Sequence, residues 1–436
     1  MEAPINKPAA VEGPPPVNHA VALGVLTTLF FMWGFCTVLN DILVPHLKAV
    51  FEMNYVQTML IQFTFFGTYF LLSMPSAKLI EWVGYKYSIV IGLLVMGCGC
   101  LLFIPAAGLP SYDLFLTALF VLAAGITLLQ VAANPYVAVL GPEKTASARL
   151  NLVQGFNSLG TLLAPLFGGL LILSQSKAGN TAVGAVESLP DRLSDARAVQ
   201  MPYLGIAIVL FLIAVLLWVA RLPKISTHPK NAEEANDTLW RHKTLIMGAI
   251  AIFVYVGAEV SIGSFLINYI SSPHISHMTT AEAAGYLSFY WGGAMVGRFV
   301  IGAAAMRYVP PPKILADNCV AAAILLVISM AATGPISMWT ILLVGLCNSI
   351  MFPTIFTLAI RGLGPLTGRG SGVLVMAIFG GAILPMIQAK VADSIGLTIS
   401  FTVPAVCYLY IWFFALRSFD KTPAVVQAEV SAIHSG

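Results

Sequence analysis

Charged residues are scarce in this sequence of 436 residues. They make up 9% of the chain, whereas hydrophobic residues make up 58% and the mean hydropathy is +0.88. A water-soluble domain carries about 25% charged residues, because its surface has to be solvated. The composition therefore predicts a polytopic membrane protein. The net charge of +3 is small and the basic residues are dispersed, so nucleic acid is not an indicated partner.

Residue types that build metal and catalytic sites are also few or unsuitably placed. All seven histidines fall in tails, loops or the ends of apolar runs. The six cysteines lie in apolar runs without the paired CxxC spacing of a metal site, which favours buried thiols. No cluster pairs a nucleophile with a base. We therefore expect no enzyme, no metal and no cofactor.

Twelve apolar runs are long enough to cross about 30 Å of hydrocarbon. The first six lie near 21–46, 56–80, 87–108, 112–139, 150–174 and 200–221. The other six lie near 243–270, 283–307, 313–333, 337–361, 370–394 and 398–416. This pattern predicts an all-α membrane protein of two six-helix halves. The predicted regions are a disordered tail (1–20), an N-terminal half (21–221), a linker (222–242), a C-terminal half (243–416) and a second tail (417–436).

The distribution of basic residues predicts the orientation of the chain. With both termini in the cytoplasm, seventeen of the 22 lysines and arginines, Arg298 among them, fall on the cytoplasmic side. Such an excess follows the positive-inside rule. The proline-rich N-terminal tail lacks the features of a secretory signal peptide. We expect a bacterial-type inner membrane protein with cytoplasmic termini, surrounded by lipid and monomeric.

The two halves repeat each other. Asn134-Pro135 corresponds to Phe352-Pro353, and Pro165 corresponds to Pro385 at nearly the same separation along the chain. The separation of Pro135 from Pro353 also relates Asp41 to Glu259. Two six-helix halves related by a pseudo-two-fold axis, with a site at the bilayer midplane, are typical of secondary transporters.

Asp41 and Glu259 are the predicted ion-coupling residues. An ionised carboxylate at the centre of a membrane helix costs roughly 2.5 to 3.5 kcal/mol, so it is usually paired, hydrated or protonated. Glu259 lies well inside its span. The alternative for Asp41 is a place at the outer end of its helix, because His46 and Lys48 follow closely. Its equivalence to Glu259 favours the central position.

Amide and aromatic side chains form a candidate sugar site. Gln130 and Asn134 share one helix face, as do Gln154 and Asn157. Amides facing lipid are costly, so these faces point into the bundle, where they bond either sugar hydroxyls or neighbouring helices. Aromatic rings beside amides suit a sugar, although such rings also serve in packing or in an interfacial belt. The candidate substrate-binding residues are Asn40, Gln130, Asn134, Gln154, Asn157, Tyr255, Tyr290, Trp291 and Asn348.

Several stretches resemble one transporter family. They are FMWGFCTVLNDILVPHLK, GITLLQVAANPYVAVLGPE, RLNLVQGFNSLG, YVGAEVSIGSFL and FPTIFTLAI. These strings are similar to the fucose–galactose–glucose–H⁺ symporter family of the major facilitator superfamily, within it the glucose/galactose permease branch. The loop AKLIEWVGYK is a degenerate form of a superfamily motif, with Ala77 and Glu81 at two of its usual positions.

The resemblance implies roles for individual residues. Asp41 matches the carboxylate that serves proton coupling in the L-fucose permeases, whereas Gln130 matches a second, protonatable glutamate there. An amide cannot titrate, so that coupling scheme does not transfer whole and L-fucose becomes a less suitable substrate. Glu259 offers a second carboxylate in the opposite half. Gln154 and Asn157 match the sugar-binding face.

The sequence therefore predicts a transporter that imports a hexose of the glucose or galactose type with H⁺ by alternating access. Na⁺ is the alternative ion, because two carboxylates and amide oxygens also coordinate a hard cation. N-acetylglucosamine is the alternative sugar. A function of another class, a non-transporting membrane sugar sensor, would need no titrating carboxylate in the membrane.

Overall fold

The computed structural model describes residues 19–50, 55–108, 111–168, 200–220, 237–276 and 278–419, together with Pro223 and Ile225. Both predicted tails, apart from a few residues at their inner ends, and most of the predicted linker lie outside the described residues. Helices account for nearly all of the described chain, which agrees with the predicted all-α fold.

Among the described residues, the N-terminal half contains six helices. The segment Tyr55–Gly108 is two helices, because Gly84 has φ 80° and ψ 167° and interrupts the helical backbone. Only glycine adopts such a conformation readily. The six helices are α1 (His19–Val50), α2 (55–83), α3 (85–108), α4 (Tyr112–Val139), α5 (Ala146–Gly168) and α6 (Gln200–Val219).

The C-terminal half also contains six helices, four of which are built from consecutive segments. They are α7 (Lys243–Ile270), α8 (Thr280–Gly297, continued by a π-helical segment Arg298–Ala304 and Ala305–Arg307), α9 (Pro311–Ala331), α10 (Gly334–Asn348 and Met351–Ala359), α11 (Thr367–Met376, Ala377–Phe379 and Gly380–Ile395) and α12 (Leu397–Ser400 and Thr402–Phe419). Among the described residues, eight helical stretches are apolar and long enough to cross a membrane.

The predicted repeat is visible in how the helices pack. A Cβ atom on Gly160 of α5 would overlap the carbonyl oxygen of Phe31 on α1. A Cβ atom on Gly380 of α11, which is separated from Gly160 as Pro385 is from Pro165, would overlap the carbonyl oxygen of Phe253 on α7. Both halves therefore use a glycine at an equivalent place to bring two helix backbones into contact, as membrane bundles commonly do.

The two halves are joined mainly at one end of the bundle, the predicted cytoplasmic end. There the Ser147 and Thr357 hydroxyl oxygens lie 2.6 Å apart, and the Arg361 Nε lies 3.1 Å from the Glu143 Oε1. Arg369 forms a second ion pair across the halves with Glu81. We call this set of contacts the cytoplasmic seam.

An apolar cleft separates the halves toward the opposite end. It has a volume of about 690 Å³ and is lined by α2, α7 and α11, with Phe63, Phe66 and Phe265 among its walls. Among the described residues, the halves are thus joined through the cytoplasmic seam and separated along this cleft.

Replacing Gly160 by alanine tests the close packing of α1 on α5. The added methyl group forces the two backbones apart, and overpacking of this kind costs about 1–3 kcal/mol. We expect Gly160→Ala to lower the thermal unfolding temperature in detergent. Gly205→Ala is the matched control, because no atom lies within 4 Å of the added Cβ. Equal unfolding temperatures for the two variants would contradict the packing described.

Candidate functional site

A cavity of about 170 Å³, lined by polar and aromatic side chains, lies between the two halves. Four helices of each half contribute to its wall, which are α1, α2, α4 and α5 on one side and α7, α8, α10 and α11 on the other. The lining residues are Trp33, Gly34, Thr37, Tyr69, Gln130, Gln154, Asn157, Thr161, Tyr255, Val256, Glu259, Arg298, Phe352 and Ile378. The cavity is smaller than the roughly 300–1,000 Å³ of pockets for drug-sized ligands, so it suits a single small molecule.

Three amide side chains line the wall from the N-terminal half. The Gln130 Nε2 donates to the Tyr69 hydroxyl at 3.0 Å, and the Gln154 Nε2 donates to the Asn134 Oδ1 at 3.3 Å. Asn134 lies behind Gln154 and is fully buried. Its Nδ2 has no hydrogen-bond partner among the described residues. A buried donor of this kind can be satisfied by a ligand or by water.

Asn157 is fixed by the close contact of α1 and α5. Its Nδ2 donates to the carbonyl oxygen of Phe30 at 2.9 Å. Gly34, directly opposite, has no room for a side chain, because a Cβ there would overlap the Asn157 carbonyl oxygen. The amide nitrogen of Asn157 is thus used in holding the two helices together, and among the described contacts its Oδ1 is left for a ligand.

Glu259 is the carboxylate of the C-terminal wall. The Tyr255 hydroxyl, one helical turn earlier, lies 2.7 Å from the Glu259 Oε1 and 3.1 Å from the carbonyl oxygen of Asn348. One hydroxyl proton therefore has two acceptors. Donation to the Glu259 Oε1 is a charge-assisted hydrogen bond when the carboxylate is ionised, which is stronger than a neutral one.

Asn348 is the centre of a buried cluster behind this wall. Its Nδ2 donates to the Tyr290 hydroxyl at 2.8 Å, and its Oδ1 accepts from the Tyr408 hydroxyl at 2.7 Å. All three side chains are fully buried. The Tyr290 hydroxyl also lies 3.5 Å from the Glu259 carbonyl oxygen. Asn348 and Tyr290 therefore support the cavity wall from α10 and α8 and do not line it.

Arg298 places a positive charge in the same cavity. Its Nε donates to the Ser349 carbonyl oxygen at 3.0 Å, and its Nη1 donates to the Gln154 carbonyl oxygen at 3.3 Å and to the Ser158 hydroxyl. The assignment of Arg298 to the cytoplasmic side was wrong, because α8 continues through a π-helical segment and three further residues to Arg307.

Trp291, Asn40 and Asp41 are predicted site residues that the described cavity wall does not include. Trp291 does not line the cavity, since its side chain is 40% exposed and its ring packs edge-to-face on Tyr290 with centroids 5.1 Å apart. The adjacent position along a helix points in another direction, so only Tyr290 faces inward. Asn40 and Asp41 lie within α1, but their side chains fall outside the described part of the structure.

Sequence reasoning missed several lining residues. Trp33, Tyr69, Thr161 and Phe352 have no distinguishing pattern, because aromatic and threonine side chains are common throughout apolar helices. Arg298 did carry a signal. An arginine inside a predicted span is rare in membrane proteins and usually faces the interior of the bundle.

The wall contains hydrogen-bonding groups, which are amides, hydroxyls, a carboxyl group and a guanidinium, together with aromatic rings. The guanidinium adds a positive charge and Glu259 adds a group that is negative when ionised, and no ion pair within 4.0 Å joins Glu259 to Arg298 in the described structure. The described residues contain no group of three or more metal ligands. A neutral polyhydroxylated molecule fits such a wall, because its hydroxyls need donors and acceptors while its C–H faces pack on rings.

Comparison with known proteins decides the family. The sequence model of the Major Facilitator Superfamily matches residues 21–386. The chain belongs to the Major Facilitator Superfamily. It is therefore a multi-pass membrane transporter with the twelve-helix fold of two six-helix halves.

Individual relatives of this superfamily member match over nearly their whole length. The glucose/galactose transporter of Brucella abortus is 51% identical over 414 residues, covering 95% of this chain and 98% of the relative. The L-fucose-proton symporter of Escherichia coli is 36% identical over 410 residues, covering 91% and 93%. A crystal structure of the superfamily transporter FucP in the outward conformation matches with a TM-score of 0.84 and 34% identity, covering 92% of this chain and 99% of FucP.

Removing the Tyr408 hydroxyl tests the buried cluster around Asn348. The Tyr408→Phe variant leaves the Asn348 Oδ1 buried without its donor, which costs about 1–3 kcal/mol. We expect a lower unfolding temperature in detergent and slower transport. Tyr410→Phe is the control, since the half-buried Tyr410 hydroxyl donates to the Met247 carbonyl oxygen on α7, away from the cluster. A Tyr408→Phe protein as stable and active as the control would show that the cluster does not support the site.

Proposed function

We propose that this transporter imports a hexose of the glucose or galactose type together with H⁺ by alternating access. The observation that carries the proposal is the small cavity between the halves, in which an amide wall faces a wall containing Glu259. The 51% identity to a relative named glucose/galactose transporter supports the sugar. The 36% identity to a relative named L-fucose-proton symporter supports the proton.

The roles of the residues follow from the geometry of the wall. Gln130, Gln154 and Asn157 bind sugar hydroxyls, Asn134 holds Gln154 from behind, and Trp33 and Phe352 pack against the ring. The cavity lies at the junction of the halves, so a bound sugar contacts both. Rocking of the two halves about this point exposes the cavity first to one side of the membrane and then to the other.

Proton coupling is assigned to Asp41 and Glu259. Gain or loss of a proton at Glu259 changes the charge of the cavity by one unit beside Arg298. It also decides whether the Tyr255 hydroxyl is held by the carboxylate or is free to bond the Asn348 carbonyl oxygen. Protonation therefore alters contacts between α7 and α10, next to the sugar.

We place the transporter in a bacterial-type inner membrane as a monomer with both termini in the cytoplasm. The excess of lysine and arginine on the side of the cytoplasmic seam supports this orientation. Inward transport then begins from the state with its halves closed at the cytoplasmic seam.

Transport in proteoliposomes tests the substrate and the ion. Counterflow of labelled glucose is measured against unlabelled glucose, galactose, L-fucose and N-acetylglucosamine, and uptake is measured with a pH gradient or with a sodium gradient. We expect glucose and galactose to compete and an inward proton gradient alone to drive accumulation. Accumulation that needs sodium and ignores the pH gradient would contradict proton coupling. Sugar binding without counterflow would indicate a non-transporting sensor.

The Asp41→Asn and Glu259→Gln variants separate coupling from sugar binding. Each keeps the shape and much of the hydrogen bonding of the side chain but cannot change charge. We expect counterflow to survive while accumulation driven by the proton gradient falls at least about tenfold in the variant of a coupling residue. Asp113→Asn is the matched control, because Asp113 is exposed in the first turn of α4. A ratio of uptake to counterflow equal to that of the control would show that the residue takes no part in proton coupling.

A further inference from the structure

Two prolines at repeat-equivalent positions each free one backbone carbonyl. Proline has no N–H group, so it cannot donate to the carbonyl four residues earlier in a helix. Pro135 in α4 therefore frees the carbonyl oxygen of Val131, and Pro353 in α10 frees that of Ser349. These two carbonyls are themselves repeat-equivalent, because each lies at the same distance before its proline.

The carbonyl freed in the N-terminal half is bonded by the C-terminal half. The Ser371 hydroxyl on α11 donates to the Val131 carbonyl oxygen at 2.8 Å. Ser371 is fully buried in the cytoplasmic seam. This hydrogen bond joins the halves directly, and it uses an acceptor that an unbroken helix would have kept for itself.

The carbonyl freed in the C-terminal half is joined to the N-terminal half through Arg298. The Arg298 Nε donates to the Ser349 carbonyl oxygen, and its Nη1 donates to the Gln154 carbonyl oxygen and the Ser158 hydroxyl on α5. The guanidinium therefore links α8, α10 and α5. In both halves, the acceptor made available by a proline takes part in closing the seam on the cytoplasmic side of the cavity.

We propose that these two carbonyls are latch points that hold the transporter closed at its cytoplasmic end, with Ser371 and Arg298 as positioning residues. When the seam closes, each carbonyl is buried and needs its side-chain donor. When the seam opens, water enters between the halves, and exposed backbone is tolerated where it lines a water-filled cavity. Each latch therefore favours closure and is released without leaving a buried, unsatisfied group. In this proposal each proline acts by making a carbonyl acceptor available, whereas a hinge proline would act by letting its helix bend.

This inference rests on the alternating-access part of the proposed function and needs neither the sugar nor the ion. The experiment uses one protein that carries both Trp82→Cys and Tyr308→Cys in a Cys98→Ser background, with a spin label on each new cysteine. The distribution of distances between the two labels gives the fraction of molecules that are open at the cytoplasmic end. Trp82 and Tyr308 are 72% and 82% exposed and lie at the cytoplasmic ends of α2 and α8. The protein is held in nanodiscs at constant pH without sugar, so failure of the transport proposal leaves the result unaffected.

A double-mutant cycle of Ser371→Ala and Pro135→Ala tests the first latch. With Pro135 present, Ser371→Ala leaves a buried carbonyl without a donor in the closed state, and we expect the open-to-closed ratio to rise about tenfold. With Pro135→Ala, the new N–H group bonds Val131, and the same change at Ser371 raises the ratio by about twofold or less. The control is Ser418→Ala, whose buried hydroxyl donates within α12 to the Phe414 carbonyl oxygen and leaves the ratio unchanged.

Equal effects of Ser371→Ala in the two backgrounds would overturn the proposal, as would no effect in either. If the Ser371 variant does not fold, the matching cycle of Arg298→Gln and Pro353→Ala decides. Arg298→Gln should raise the open-to-closed ratio more when Pro353 is present than when alanine replaces it. Equal effects of Arg298→Gln in the two backgrounds would also overturn the proposal.

Discussion

Backbone hydrogen bonding in an apolar surrounding is the constraint on which this structure depends. Every N–H and C=O group inside a bilayer has to be satisfied by the protein, because lipid offers no partner. Nearly all of the described chain is therefore helical, and two of the interrupted backbone groups have identifiable substitute donors. Val131 and Ser349 lose their helical donors to prolines and gain side-chain donors at the seam between the halves. The same requirement directs amides, Glu259 and Arg298 inward.

The two halves share a fold but have different chemistry at the cavity. The N-terminal wall contains three amides beside aromatic and threonine side chains, and these amides bond neighbouring side chains or backbone, as in the contact of Asn157 with Phe30. The C-terminal wall contains a carboxylate, a guanidinium and tyrosines supported by Asn348. In the proposed function, hydroxyl recognition lies mainly on the N-terminal side and the change of charge on the C-terminal side. A molecule bound between the two walls contacts both of them, as the coupling of sugar movement to ion movement requires.

Hydropathy and the internal repeat predicted the fold well, because apolar runs and a constant separation between matching residues are properties of the sequence alone. The helical spacing of the amides likewise predicted which of them share a face. Whether an inward-facing side chain lines the cavity or lies behind its wall was not predictable in this way. Asn348 and Tyr290 face inward as expected but lie behind the wall, and Trp291 faces away. Arg298 was misplaced because it was counted with the cytoplasmic anchors although it lies inside the predicted span 283–307, and the structure places it in the cavity wall.

The most direct test of this account is the external pH of lightly buffered proteoliposomes when sugar is added. Because sugar and proton are held to move together through the cavity beside Glu259, adding glucose or galactose should make the outside medium more alkaline, in proportion to the sugar that enters. The signal should vanish in Glu259→Gln while sugar exchange continues. Sugar entry with no change in external pH would contradict the account.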